Sequence, residues 1–444
     1  MAGAELTVND LRNIENRIKD KSAEIGIVGL GYVGLPLALA FAECGFSVTG
    51  IDSDKERVNK ITKGVSYLLD IGSPRLKKAV ASGRLKATTN QGALRRVDTI
   101  IICVPTPLTK TKEPDLTYIV NATNDIARYL RLGHLVILES TTYPGTTRKI
   151  VLPLLESTGL RVGVDYFLTF SPERIDPGSR NFTIKNTPKV VGGMEPKSTR
   201  LAALLYGHVA EKVLEVSTPE VAEMDKVFEN VFRSVNIALV NELAKLCEKM
   251  NINVWEVIKS ASSKPFGYMP FYPGPGVGGH CIPLDPYYLA SKAREYCFHT
   301  RFIELAAEIN ETMPEYIVER IVEALNTHSK SVKGAKILVL GVAYKKDIED
   351  VRESPALRVL ELIIEKKAKV DYNDPYIANV KEGSVKMRSV KFDNKTLATY
   401  DCVVILTDHS AYDLKSIAKT AKLVFDTRGC TNNIKSDNII RLGV

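Results

Sequence analysis

One stretch of the chain concentrates residue types that do covalent chemistry: Gly274-Pro275-Gly276-Val277-Gly278-Gly279-His280-Cys281-Ile282-Pro283-Leu284-Asp285-Pro286. Its glycines let a backbone wrap closely around a ligand. The Cys281 thiol, with an imidazole before it and a carboxylate four residues on, is a candidate nucleophile. A lone buried cysteine is usually inert, and His280 taken alone is more often structural than catalytic. No metal-ligand spacing surrounds them, so no metal is expected. Lys226 and Asn230 lie four residues apart in a helical pattern and so share one face. An ammonium and an amide projecting together can hold a developing oxyanion; the competing reading is a surface lysine on a solvated face. Ser171-Pro172-Glu173-Arg174-Ile175-Asp176-Pro177-Gly178 is a loop fixed by its prolines and glycine. There Glu173 is either a general base or the salt-bridge partner of Arg174.

The turn Gly29-Leu30-Gly31-Tyr32-Val33-Gly34 follows a strand and opens a helix, the context a dinucleotide fingerprint requires. Gly29 allows the tight turn, Gly31 lets the backbone approach a pyrophosphate, and Gly34 lets helix and strand pack closely. Tyr32 and Val33 complete the turn. The helix N-terminus then offers free N–H groups and a positive dipole to the phosphates. Asp52 ends the next strand, 18 residues after Gly34. A carboxylate there accepts bonds from ribose hydroxyls and repels a 2′-phosphate, which favours NAD over NADP. Arg57 tempers this, since it could lie on the adenine ribose side. Thr106, just past a strand end in Val104-Pro105-Thr106-Pro107, either touches the cofactor or belongs to a plain turn.

The elements that must position these residues alternate in kind. Ile25 to Val28, Ser47 to Asp52, Asp98 to Val104 and Leu135 to Glu139 are apolar runs of strand length, and Pro36 to Glu43 is an Ala/Leu-rich helix closed by Gly45. Such runs separated by helical segments predict a parallel sheet covered on both faces. Around Pro219 the texture changes to one long amphipathic helix, Val221 to Met250. A second helical stretch, Phe302 to Asn326, should be kinked or interrupted at Pro314. Between them Pro265 to Pro286 reads as a shaped loop. Lys336 to Gly341 opens a second α/β pattern, with a helix at Ser354 to Lys366 and strands at Lys369 to Tyr372, Asp401 to Leu406 and Lys422 to Phe425. The two α/β halves are alike in style without a sequence repeat. A helix of about 30 residues exposes more apolar face than one small domain covers, which points to a subunit interface.

Composition bounds the partners. A chain of 444 residues implies two or three domains, and no apolar run reaches membrane-spanning length. Seven scattered cysteines without a CxxC pair argue against a disulfide framework and for a reducing cytoplasm. The formal charge of +8 suits nucleic acid, an anionic surface or an anionic small substrate. No dense Lys/Arg tract interleaved with aromatics favours nucleic acid, whereas dinucleotides and sugar nucleotides are anions too. Residues 1 to 22 are charged throughout and have no apolar h-region. Leu11, Ile14 and Ile18 recur at helical spacing there, which fits a docking helix or a frayed tail equally.

These elements, in this order, resemble the UDP-glucose/UDP-N-acetylhexosamine 6-dehydrogenase family over nearly the whole chain. The markers are the Gly29–Gly34 turn with Leu35-Pro36, Cys103-Val104-Pro105-Thr106-Pro107, Ser171-Pro172-Glu173-Arg174, the Lys226/Asn230 helix, the Cys281 loop, and Tyr344-Lys345-Lys346-Asp347 followed by Arg352-Glu353-Ser354. The resemblance implies an α/β fold: two Rossmann-like domains joined by a central helical domain with a long connecting helix. Residues 1–217 would bind NAD. Residues 218–328 would carry the cysteine loop and a dimer interface, and residues 329–444 would bind the UDP-sugar. It also implies that the sugar's primary alcohol at carbon 6 is oxidised twice, with two NAD consumed. Cys281 would form a thiohemiacetal and then a thioester that water hydrolyses. In family terms Lys226 and Asn230 stabilise oxyanions, Asp285 assists base and water chemistry, and Glu173 helps the hydrolytic step. Thr142, in Ser140-Thr141-Thr142-Tyr143-Pro144, stands near the water and the cofactor. Lys345, Arg352 and Arg428 are the implied cationic contacts to the UDP half. Arg174, Tyr272, Gly276 and His280 complete the expected substrate contacts.

One departure is informative. UDP-glucose enzymes of the family usually place a lysine directly before the loop's acid, where this chain has Leu284, and a small residue where His280 stands. The loop looks instead like the branch acting on UDP-N-acetylhexosamines. Within it, residues 171–178 and Thr187-Pro188-Lys189-Val190-Val191-Gly192-Gly193 look more like UDP-N-acetylglucosamine than UDP-N-acetylmannosamine enzymes. The expected partners are thus a UDP-sugar and further copies of the chain, with neither nucleic acid nor membrane. Two other classes compete. A two-electron hydroxy-acid dehydrogenase leaves Cys281 and the second α/β pattern unexplained. A non-catalytic NAD-responsive binding protein leaves the intact thiol, lysine and acid unexplained.

Overall fold

The computed structural model describes residues 8–68, 71–109, 113–174, 181–279, 282–383 and 385–444, with side chains from Ile14 onward. The chain divides into two units, Met1–Glu229 with Tyr287–Cys297, and Asn230–Pro286 with Phe298–Val444. His280 and Cys281 lie outside the described residues, as do Ile175 to Gly178 of the Glu173 loop.

The first unit is built on an eight-stranded sheet: β1 (Glu24–Val28), β2 (Ser47–Ile51), β3 (Leu85–Thr88), β4 (Thr99–Ile102), β5 (Leu135–Leu138), β6 (Phe167–Phe170), β7 (Lys189–Gly193) and β8 (Val213–Val216). Its order is β3-β2-β1-β4-β5-β6-β7-β8. The continuous apolar runs are explained by burial on both faces. Leu135 and Ile137 of β5 join one core with Ile25 and Ile27; Val136 and Leu138 join the other with Ile100 and Ile102. The all-parallel expectation holds as far as β6. There β7 pairs antiparallel, and β8 runs parallel to β7. Chain order reverses between β1 and β4, which opens a crevice at the strands' carboxyl ends, where ligands of such sheets bind.

The N-terminal segment is a docking helix, Val8–Lys19, rather than a frayed tail. Ile14 and Ile18 are buried in the first core, and Arg17 Nη1 pairs with the buried Asp98 Oδ1 at 2.6 Å. The long helix spans Pro219–Lys249 and runs through the division between the units at Glu229.

In the second unit the later helical stretch is split as Pro314 requires, into Arg301–Glu311 and Met313–Thr327, with Pro314 in the first turn of the second helix. The sheet comprises β9 (Lys336–Leu340), β10 (Lys369–Asn373), β13 (Cys402–Ile405), β14 (Val424–Asp426) and β15 (Ile439–Arg441). A separate hairpin joins β11 (Asn379–Glu382) to β12 (Val385–Arg388). The five strands are parallel, in the order β10-β9-β13-β14-β15. Their side chains again alternate between two cores, Ile337 and Val339 on one face, Leu338 and Leu340 on the other. Residues 274–279 and 282–284 of the cysteine loop lie outside helix and strand, and the helix Asp285–Arg294 begins within the stretch that the sequence reads as loop.

Candidate active site

The glycine turn has the geometry a dinucleotide needs. Gly29 adopts φ +93, and a Cβ there would stand 2.6 Å from the Cys103 carbonyl oxygen. A Cβ on Gly34 would stand 1.9 Å from the Gly29 oxygen, so only hydrogen lets the helix start this close to the strand. A Cβ on Gly31 would meet nothing within 4 Å, which leaves open the space a pyrophosphate would take. The helix Gly34–Glu43 begins after Val33 with no side-chain cap; Leu35 N turns back to the Gly31 oxygen at 3.2 Å and Pro36 carries no N–H, so what this end offers an anion is chiefly the positive end of the helix dipole. Tyr32 is exposed beside it.

Asp52 is buried at the end of β2 and accepts from Leu30 N at 2.8 Å and Asp54 N at 2.9 Å. Arg57 turns toward Asp52 and Asp54, at 3.6 and 3.4 Å. Tyr67, which no motif marks, donates its hydroxyl proton to the Leu30 carbonyl and so ties the turn down from outside. Thr106 is buried, and its carbonyl accepts from the Tyr288 hydroxyl.

The segment after β5 is held by a residue the sequence motifs do not single out for this purpose. Glu223, on the long helix, accepts from Gly145 N at 2.5 Å, Thr147 N at 2.8 Å and the Thr147 hydroxyl at 2.7 Å. Burial pushes its carboxyl up to about 7 against those bonds. Thr142, fully buried, shares a 2.6 Å hydrogen bond with the Thr146 hydroxyl.

Glu173 does not pair with the Arg174 guanidinium. Arg174 is committed to Glu229 and, at 2.7 Å, to the Pro188 carbonyl. Glu173 Oε2 faces Lys189 Nζ at 3.3 Å, and Lys189 is also ion-paired with Glu139. Lys226 is only 7% exposed, which removes the solvated-face reading.

In the second unit Asn230, fully buried one turn along the same helix, donates to the buried Asp285 carboxylate and accepts from Arg233. The structure thus brings together an amide and an acid that are remote in sequence. The cysteine loop approaches as closely as its glycines imply. A Cβ on Gly274 would stand 2.7 Å from the Arg428 guanidinium, one on Gly276 (φ +121) 2.8 Å from the Asn310 oxygen, and one on Gly278 2.6 Å from Tyr344 Cβ. Gly274 N donates to Asn241 Oδ1 at 3.0 Å, and Gly279 N to the Arg352 carbonyl at 3.0 Å. Tyr272 stacks on Trp255 with centroids 6.3 Å apart. Among the expected cations, Arg352 pairs with Asp350 at 2.7 Å and Arg428 donates to the Leu406 carbonyl at 2.7 Å; burial lowers the Arg428 pKa. Lys345 is half-buried.

Comparison with known proteins gives one family along the chain. Three profiles of the UDP-glucose/GDP-mannose dehydrogenase family match: its NAD binding domain over residues 23–210, its central domain over 220–312 and its UDP binding domain over 338–433. A UDP-N-acetyl-D-mannosamine dehydrogenase of Pyrococcus horikoshii is 38% identical over 410 residues, 91% of this chain and 95% of that protein. A UDP-N-acetyl-D-glucosamine 6-dehydrogenase of Pseudomonas aeruginosa is 34% identical over 425 residues, 94% of this chain and 99% of that protein. The solved UDP-D-ManNAc dehydrogenase from P. horikoshii superposes with a TM-score of 0.85, covering 95% of this chain and 99% of its own. No helix among the described residues is long and apolar enough to cross a membrane. The open glycine turn, the acid at the end of β2 and the matched domains lead to one conclusion: the chain belongs to the UDP-glucose/GDP-mannose dehydrogenase family and is an NAD-dependent oxidoreductase.

Proposed function

We propose that the chain oxidises the carbon 6 alcohol of a UDP-N-acetylhexosamine to the uronic acid in two successive steps at Cys281. The observation that carries this reading is Lys226, buried on the helix that bears Asn230, whose amide is bonded to Asp285. A buried ammonium is costly unless it meets developing negative charge. Lys226 and Asn230 hydrogen-bond the substrate's oxygen 6 as it becomes an alkoxide, and Asp285 receives the proton it loses, directly or through water. The Gly29–Gly34 turn and Asp52 would hold NAD, which would supply the hydride acceptor for each oxidation, two per sugar. The Cys281 thiolate adds to the aldehyde carbon, and the same Lys226 and Asn230 hold the resulting oxyanion. The second oxidation leaves a thioester. Glu173 takes a proton from water as the water oxygen adds, and Thr142 helps to place that water; the carbon–sulfur bond breaks and the thiolate returns. One well-aimed charge in such a site contributes several kcal/mol to the transition state, about 3 by analogy with single oxyanion donors. Lys345, Arg352 and Arg428 supply positive charge for the UDP half.

The loop from Ser171 and the Thr187–Gly193 segment favour UDP-N-acetylglucosamine as substrate. A second reading, UDP-N-acetylmannosamine, is favoured by the 38% identity to the P. horikoshii protein of that name. The deciding experiment gives the enzyme NAD with UDP-glucose, UDP-N-acetylglucosamine, UDP-N-acetylmannosamine or UDP-N-acetylgalactosamine and follows NADH absorbance. Two NADH per sugar are expected, with loss of carboxylate product in Cys281→Ala. One NADH per turnover with release of a stable aldehyde or ketone overturns the reading.

The enzyme acts as a homodimer or larger homo-oligomer. Phe228, Phe232, Leu239 and Leu246 are all exposed, at spacings that keep them on one stripe of the long helix. Leu239→Asp should shift the mass measured by light scattering toward the monomer; an unchanged mass removes the stripe from the interface.

A further inference from the structure

Behind Glu173 lies a buried ionic cluster that the two oxidations do not use. Glu139 follows β5 and is 1% exposed; Lys189 opens β7 and is 6% exposed. The Lys189 ammonium bridges Glu139 and Glu173. Tyr206, fully buried, donates to Glu139 Oε2 at 2.8 Å, and the Lys189 ammonium lies 4.9 Å from the centre of its ring. The Cys103 thiol, after β4, also faces the cluster. Five elements thus converge at the carboxyl end of the sheet, where the crevice opens, and each contributes a polar group to a largely dry place. Such a cluster is expensive to bury unless its members satisfy one another, and a network of this kind holds each of its groups in one arrangement.

The charges count unequally, two carboxyls against one ammonium. Fully ionised, the cluster would keep a net negative charge out of water; with one proton on the carboxyls it is neutral. Burial and the adjoining Glu173 raise the Glu139 pKa above the ordinary carboxylate range, and a hydrogen bond between the two carboxyls requires that proton. Lys189 stays charged because the carboxylates outweigh its burial. The Glu139 side chain is fully buried and that of Glu173 is 12% exposed, so desolvation leaves the proton on Glu139 and the charge on Glu173.

We propose that Lys189 and Glu139 are positioning residues for the hydrolytic step: Lys189 holds the Glu173 carboxylate ionised and aimed at the strand ends, and protonated Glu139 fixes it from behind. This rests on the reading of Glu173 given above. In the step served, water gives one proton to Glu173 while its oxygen adds to the thioester carbon. The carbon–sulfur bond then breaks, and the electron pair leaves on the Cys281 sulfur. The two hydride transfers precede it and need neither residue.

A single-turnover experiment on the full chain with NAD and its UDP-sugar separates these steps, by NADH absorbance and by intact mass of the quenched protein. In Lys189→Met the burst of two NADH per site persists and a thioester-sized adduct on Cys281 accumulates, with its hydrolysis about 100-fold slower. Lys189→Arg, which keeps the charge, recovers much of that loss. Glu139→Gln, shaped like the protonated acid, retains hydrolysis but removes the inflection that wild-type hydrolysis shows near neutral pH as Glu139 loses its proton. Equal slowing of both NADH-forming steps and hydrolysis in Lys189→Met, without an adduct, overturns the proposal, as does an inflection that survives in Glu139→Gln. Should wild type form no NADH from any UDP-sugar, the assigned reaction itself fails, and this proposal with it.

Discussion

The two sheets open their crevices in nearly the same way and then part. After β1 comes Gly29 at φ +93, and after β9 comes Gly341 at φ +80. A Cβ on either would strike a carbonyl of the neighbouring strand's exit, Cys103 at 2.6 Å or Thr407 at 2.4 Å. Gly29 N bonds to the Ile51 oxygen at 2.8 Å and Gly341 N to the Asn373 oxygen at 2.9 Å. Each second strand is followed by a buried aspartate that accepts from the turn: Asp52 from Leu30 N, Asp374 from Val342 N and Ala343 N. The first helix then starts at once, at Gly34, over the open space at Gly31. The second starts only at Pro355, and its turn carries the buried side chains of Val342 and Ala343. The shared frame is therefore a way to end strands, and ligand choice lies in what fills the turn. The first leaves open space at Gly31, whereas the second gives the N–H groups of Val342 and Ala343 to Asp374.

The largest effect that tests this comparison comes from adding one methyl group to each unit. Gly34→Ala must push a Cβ into a backbone oxygen 1.9 Å away, and Gly341→Ala does the same at 2.4 Å with an unfavourable φ. Both should lose about 3 kcal/mol or more of stability in urea denaturation. Only Gly34→Ala should also weaken NAD binding by the protein that remains folded, measured by calorimetric titration. Equal weakening in Gly341→Ala would mean that the two turns do not serve separate ligands.

Much of this architecture is legible in the sequence, because strands buried on both faces are written as continuous apolar runs such as Thr99–Ile102 and Lys336–Leu340. What escapes does so for physical reasons. Strand β7 begins with a charged residue and ends in two glycines, a composition that reads as loop. Its lysine is buried only because Glu139 and Glu173 wait on other elements, and no local pattern can reveal partners 50 and 16 residues away. Gly192 is required there because a Cβ would stand 2.2 Å from the Thr218 oxygen. The motif residues Lys226, Asn230 and Asp285 could be named from the sequence. The grip of Glu223 on the Thr142 segment, and of Tyr67 on the turn, could not, since each is a long-range bond made by an ordinary residue.

Two buried acids, one in each unit, should also respond to pH with opposite sign. Glu223 in the first holds its proton to about 7, whereas the unfolded side chain releases it near 4.5. The folded state therefore binds more protons between those values, and stability falls as pH rises through them, by up to about 3 kcal/mol. In the second unit burial pushes Asp374 up. Bonds from His409 and from the N–H groups of Val342 and Tyr376 outweigh it, and the net shift is below the ordinary 3.8. That stability is present above 3.8 and is lost as pH falls through the folded value. Hydrogen exchange at a series of pH values should show that Glu223→Gln removes a loss of stability between pH 4.5 and 7; His134, held by burial to about 3, works in the opposite sense below 6.5 and is common to both proteins. A change of the same sign in Glu223→Gln and Asp374→Asn, each compared with wild type, would contradict the assignment.

The smallest effect on the fold is the sharpest test of what the turns are for. Gly31 has no positive φ and no neighbour within 4 Å of an added Cβ, so Gly31→Ala should change stability by less than about 0.5 kcal/mol. It should nonetheless raise the Kd for NAD about tenfold, a loss of about 1.4 kcal/mol. The methyl group would occupy the space left for the pyrophosphate. This substitution converts the first turn, Gly29-Leu30-Gly31, into the pattern the second already carries, Gly341-Val342-Ala343. The paired measurements of Kd and urea midpoint thus ask whether one methyl group accounts for the difference between the two crevices. If NAD binds Gly31→Ala as tightly as wild type, the open space at Gly31 is not where the phosphates lie, and the distinction must be sought in the helix start at Gly34 instead.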